Sequence, residues 1–205
     1  MHVARAFIIT SIALASVSAN AALQFTDWTS ANSGSIGTLN VSLTGTFVQG
    51  VVLNGTSTIF SSSNFSPPLP LSDWIEIQGR ASTASYTINF SQQVVDPVIH
   101  LSSLASTLTF SGVSPVKISG QATFLTSGNT VSGSPSGSGD SNGTIRLPGV
   151  FNSLSFTSFF SQASGDGIAI QIGVNPLLPI PEPRSAALIV LGLATVALWT
   201  RRQLS

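Results

Sequence analysis

Histidine and the carboxylates are the side chains here that could exchange protons near neutral pH, and few of them stand close together. His100 and Asp96 are four residues apart within Val94–Leu101, which reads as a strand. Such positions share a face but lie about 13 Å apart along it, too far for a dyad. Asp73 and Glu76 are three apart in the candidate strand Asp73–Gln78 and therefore face opposite sides, which works against the paired acids of glycoside hydrolysis. Serine is too frequent for one to stand out as a nucleophile, and no Gly-x-Ser-x-Gly occurs. Asp140-Ser141-Asn142-Gly143 carries alternating oxygen ligands followed by glycine, a fragment of a calcium loop, without the later bidentate acid that completes one. There is no cysteine, which excludes disulfides, cysteine-ligated zinc and thiol catalysis. No convergent polar cluster emerges. The expectations are no catalytic residue, no metal, no cofactor, and a surface or rim histidine with its hydrogen bonds satisfied.

The elements that would position these residues read as strands. Leu39–Leu43, Tyr86–Phe90 and Ile168–Ile172 alternate apolar and polar residues, the period of a half-buried strand. Phe47–Leu53 and Thr56–Phe60 flank Asn54-Gly55, a pair suited to the positive φ angles of a type I′ turn, and predict a hairpin. Thr107–Phe110, Val116–Leu125 with a break at Gly120, Gly143–Leu147 and Leu154–Phe160 complete the set, and no helical period runs for ten residues. Two connections stand out: a stiff Ser61–Leu71 with Pro67, Pro68 and Pro70, and a long, flexible Ser127–Gly143. Short strands at this spacing predict an all-β domain, an antiparallel β-sandwich or jelly roll, over residues 22–178.

Composition narrows the partners. Charged residues make up 7% of the chain, against about 25% in ordinary globular proteins, so Ser, Thr, Asn and Gln must supply the polar surface. Within 22–178, six acids (Asp27, Asp73, Glu76, Asp96, Asp140, Asp166) face three bases (Arg80, Lys117, Arg146), a formal charge of −3. No basic face exists to meet phosphate, so nucleic acid is not an expected partner. A glycan reader is the alternative, with Trp28, Trp74 or Tyr86 as its stacking surface.

The two ends differ from this body. Met1–Arg5 is a short basic segment, Ala6–Val17 is apolar, and Ala19-Asn20-Ala21 fits the small-x-small cleavage pattern, so residues 1–21 read as a secretory signal peptide with the mature chain starting at Ala22. At the other end, Pro181-Glu182-Pro183 precedes Ser185–Thr200, which is uncharged, and then Arg201-Arg202. Sixteen helical residues reach about 24 Å, a short span that crosses a bilayer when flanking residues snorkel and the bilayer thins. Trp199 suits the interface, and Arg201 and Arg202 form a membrane stop on the cytoplasmic side. The prolines stop the helix from extending backwards and leave Glu182 in a stiff, extended segment.

The order of Pro181-Glu182-Pro183, an apolar helix containing Leu191-Gly192-Leu193, and Arg201-Arg202 resembles the PEP-CTERM sorting signal of Gram-negative bacteria, over residues 179–205. The resemblance implies recognition by an exosortase, a membrane-embedded cysteine transpeptidase that removes the tail. It also implies passage through the inner membrane and periplasm to the outer surface or an extracellular matrix, among exopolysaccharide. More loosely, Tyr86–Leu101 with Gly143–Leu147 and Leu154–Phe156 is similar to the β-sandwich ectodomains found ahead of such signals, which implies a sandwich and no assigned activity.

Overall fold

The structure, a computed structural model, describes residues 22–45, 47–77, 83–134, 140–159 and 167–175. They contain fifteen strands: Gln24–Phe25 (β1), Asp27–Ser30 (β2), Ser33–Ile36 (β3), Leu39–Gly45 (β4), Phe47–Ser57 (β5), Ser72–Ile77 (β6), Thr83–Val95 (β7), Val98–Leu104 (β8), Thr107–Phe110 (β9), Val116–Gly120 (β10), Leu125–Ser127 (β11), Thr130–Ser132 (β12), Ser141–Arg146 (β13), Val150–Phe159 (β14) and Ile168–Val174 (β15). Every pairing is antiparallel. One sheet runs β10-β13-β8-β15-β6-β5, with β1 also on β15; the other runs β11-β12-β9-β14-β7-β4-β3-β2. No helix occurs among the described residues. The all-β reading therefore holds, as two antiparallel sheets of a sandwich.

Period two builds the core. From the first sheet, Ile75, Ile77, Ile99, Leu101, Ile145, Ile170 and Ile172 are buried; from the second, Val41, Leu43, Tyr86, Ile88, Phe90, Leu154 and Phe156. Tyr86 and Phe110 each pack a ring against Phe156, at 5.3 and 5.2 Å between centroids. The sheets differ on their outer faces. β15 is buried at every position, so its alternate residues are covered from outside as well. The cover is the segment 58–71, which closes over the first sheet as a strap. Phe60 and Phe65 pack with Ala169 beneath it, Ser119 Oγ donates to Asn64 O at 2.9 Å, and Ser66 N donates to Thr144 Oγ1 at 3.0 Å. The stiff connection predicted for Ser61–Leu71 is thus a packed element.

Three predicted elements differ from the structure. Asn54 and Gly55 take the expected positive φ, 68° and 56°, but no hairpin forms there. Both lie inside β5, whose register against β6 slips between Val52 and Ser57, and the Gly55 amide donates to the Asp73 carboxylate. The dihedrals of a turn are spent on a bulge that a side chain captures. Val94–Leu101 is not one strand: Asp96 has φ 49°, and the chain passes there from β7 in one sheet to β8 in the other. Ser127–Gly143 is not a loop throughout. It supplies β12, which pairs with β11 and β9, and the start of β13.

Candidate functional site

His100 is the histidine of the body, and it is fully buried rather than at a surface or rim. The covering strap explains why periodicity misplaced it: an outward strand position became interior. Phe25, Phe60 and Phe65 surround the imidazole with ring centroids at 4.7, 5.6 and 5.4 Å. Phe25 can lie there because its strand neighbour is Gly173, where a Cβ would meet the phenyl ring at 2.8 Å. Both nitrogens are engaged. Nε2 lies 2.9 Å from Pro67 O, a group that can only accept, so Nε2 carries the proton. Nδ1 then accepts from Thr144 Oγ1 at 2.9 Å, while that oxygen accepts from Ser66 N. The ring is locked in one neutral tautomer and ties the strap to β8 and β13. Desolvation pushes its pKa from 6.5 down to about 4, against the hydrogen bond to Pro67 O, which raises it. A dry imidazole with both nitrogens occupied is a structural clamp.

Three carboxylates are similarly engaged. Asp73 accepts from the backbone amides of Trp28, at 2.9 Å, and Gly55. Glu76 Oε1 accepts from Gly167 N at 2.7 Å. Asp96 stands in the connection between sheets, not on the strand of His100; it binds Arg146 Nη1 at 3.2 Å and Gly149 N at 2.8 Å. Among the described residues no acid is hydrogen-bonded to His100, whose partners are Pro67 O and Thr144 Oγ1.

The calcium-like fragment is also committed to the fold. Asn142 Oδ1 accepts from Ser102 Oγ and Ser103 N, at 2.8 and 3.0 Å, and so holds a bulge where Ser103 has φ 60°. Ser141 is buried with its hydroxyl on Thr123 Oγ1. Among the described residues no group of three or more His, Cys, Asp or Glu could hold a metal ion.

A second buried polar group lies where β6 and β1 part along one edge of β15. β6 pairs with β15 as far as Ile170, and β1 takes over at Gly173. The Gln171 amide fills the fork. Nε2 donates to Thr26 O and Asp73 O, both at 2.9 Å, and Oε1 accepts from Trp28 Nε1 at 2.9 Å and Ile172 N at 3.0 Å. No motif marked Gln171; its position in an alternating strand was visible, its partners at 26–28 and on β6 were not.

The aromatic residues named for glycan stacking are not on an open face. Trp28 and Tyr86 are buried in the core, and Trp74 is half-buried with Phe60 and Phe65. Alternation fixes which side of a strand a residue takes, but not whether that side is open.

The open face belongs to the second sheet. Cross-strand register sets its outward residues in rows. Ser33, Ser42, Asn89 and Ser153 form one row across four strands. Ser85, Thr157, Thr109 and Thr130 form a second, and Thr83, Phe159, Thr107 and Ser132 a third. Between the first two, Thr87 Oγ1 and Ser155 Oγ are hydrogen-bonded at 2.9 Å. The strands from β3 to β11 in this sheet contain no charged residue; a single carboxylate, Asp27, lies on edge strand β2. Phe159 stands out of this hydroxyl face with 56% of its surface exposed.

The sorting residues Pro181, Glu182 and Pro183, the membrane stop Arg201-Arg202 and the cleavage residues Ala19 and Ala21 lie outside the described residues, as does the apolar run 185–200. Among the described residues no helix is long and apolar enough to cross a membrane. No protein-family model, no curated protein and no solved structure matches the chain.

Proposed function

We propose that the chain is an exported, envelope-anchored structural or extracellular-matrix protein: a non-catalytic β-sandwich delivered with a signal peptide and sorted through a PEP-CTERM-type tail. The observation that carries this reading is the order Pro181-Glu182-Pro183, uncharged apolar run, Arg201-Arg202. The body agrees with it. Its histidine and the carboxylates of Asp73, Glu76 and Asp96 hold segments together, and its low charge leaves hydroxyls and amides at the surface. The partners are the membrane and an exosortase, then exopolysaccharide; the low, slightly acidic charge of the body makes nucleic acid a poor partner.

The geometry of the tail gives the test. An enzyme embedded in a membrane needs its cut site extended and at a fixed depth. The prolines supply extension, the apolar helix fixes the depth, and the two arginines hold the helix in place. In a host encoding an exosortase, Glu182→Ala should insert normally, since the helix is untouched. Release of the body should fall roughly tenfold or more, equivalent to about 1.4 kcal/mol of lost recognition in the processing step. Equal release of variant and parent would reduce the triplet to a spacer and leave an ordinary tail-anchored protein.

The alternative reading, a glycan-binding module at the cell surface, has Trp28 and Tyr86 buried and Trp74 half-buried against Phe60 and Phe65. The open face of the second sheet supports it by other residues.

A further inference from the structure

We infer that the open face of the β11-to-β2 sheet binds a neutral polysaccharide, with Phe159 as the stacking platform. This deepens the envelope-matrix reading and rests on it only for the protein's access to polysaccharide. The face has two properties that select such a ligand. First, it is hydroxyl- and amide-rich and carries no charge from β3 to β11. The rows run across strands about 4.8 Å apart, and within a strand same-face residues recur about every 6.7 Å. A sugar chain lying across the strands meets a donor and acceptor at each step, from groups that rotate to suit either role. Second, an exposed phenyl ring stands within this polar lattice. Phe159 sits between Thr83 and Thr107 in register, with Ser132 next to Thr107. An aromatic ring flanked by hydroxyls matches a pyranose, whose apolar C–H face needs a stacking partner and whose equatorial hydroxyls need hydrogen bonds.

Other occupants fit less well. Anionic glycans and nucleic acid need cations, and among the described residues the strands of this face have none. A second copy would bury rows of serine and threonine with exposed apolar side chains only at their margins, Phe159 and Leu125 at one end and Val95 and Val150 at the other, which is poor material for the apolar centre of a homodimer interface. A rigid flat lattice conflicts with the twist of a long antiparallel sheet, whereas a flexible chain can follow it.

The test is co-sedimentation of the detergent-solubilised full chain with insoluble but non-crystalline polymers, swollen amorphous cellulose, curdlan and mannan, at low and high salt. Retention on at least one of these, undiminished by salt, is expected. Phe159→Ala should weaken it about tenfold or more, as removal of an interface anchor does. The pair Thr157→Val and Thr109→Val, which keeps shape but removes two hydroxyls from one row, should also weaken it. Phe159 is exposed, so its variant should melt with the parent. Retention by none of the three polymers, retention abolished by salt, or unchanged retention of Phe159→Ala would overturn the assignment. So would a change in oligomeric state as the effect of Phe159→Ala, which would make the face a self-association surface. A chain that is exported and processed normally yet binds none of the polymers would sink this inference and leave the sorting reading intact.

Discussion

Gln171→Leu is expected to destabilise the body by about 4 kcal/mol, with little change in shape. Leucine fills a similar volume, so the loss is not one of packing. It strands four groups at the fork between β6 and β1: the Trp28 indole N–H, the Thr26 and Asp73 carbonyls, and the Ile172 amide. Each buried group left unpaired costs about 1–3 kcal/mol, and local relaxation recovers part of the sum. Trp28 is itself buried in the core, so it cannot turn its N–H to water without breaking the packing around it. Urea denaturation followed by tryptophan emission measures the effect. A loss below about 1 kcal/mol would mean that water or rearrangement satisfies the fork and that the amide is not its plug.

Acid is expected to loosen the strap through His100. The buried imidazole has its pKa lowered from 6.5 to about 4, so as the pH falls the unfolded chain binds the proton first. The sign follows: the contribution of neutral His100 is complete above about pH 6.5 and is lost as the pH falls toward 4. At about 1.36 kcal/mol per pH unit the total loss is about 3 kcal/mol. Protonation also has a stereochemical consequence. A charged ring donates from both nitrogens, so Thr144 must stop donating to Nδ1 and find another acceptor for its hydroxyl hydrogen. The control is His100→Gln, whose amide can still donate to Pro67 O in place of Nε2 but does not titrate. Between pH 7 and pH 4 the parent should lose about 3 kcal/mol more than this variant. Parallel pH profiles would show that the ring is not held neutral by burial.

Much of the fold was legible because the residues that form it alternate. Thr107–Phe110 appears in the structure with the bounds its pattern predicts, and β4, β7 and β15 extend their predicted cores at one or both ends. What periodicity could not supply was the fate of each outer face. His100 and Gln171 look alike in the sequence to Thr87 and Asn89, polar residues alternating with apolar ones. The first pair lies buried under the strap and the N-terminal strands, and the second lies on the partly open face of the other sheet. That difference is set by segments far away in the chain. Asn54-Gly55 illustrates the same point at the level of a turn. Its dihedrals were readable, but whether they close a hairpin or a bulge depended on Asp73 capturing the Gly55 amide. The short strands β1, β2, β3 and β12 went unrecognised, because two to four residues carry too little pattern to register. For the proposed glycan face, the serines and threonines were visible one by one. Their alignment into rows with Phe159 needed the cross-strand register.

The central claim, export followed by removal of the tail, is tested most directly by the intact mass of the protein recovered from the outer surface or medium of a host that encodes an exosortase. The account predicts a chain that begins at Ala22 and lacks the apolar run 185–200 together with Arg201 and Arg202. Released material that still carries Met1, or that retains the whole tail through Ser205, would contradict it.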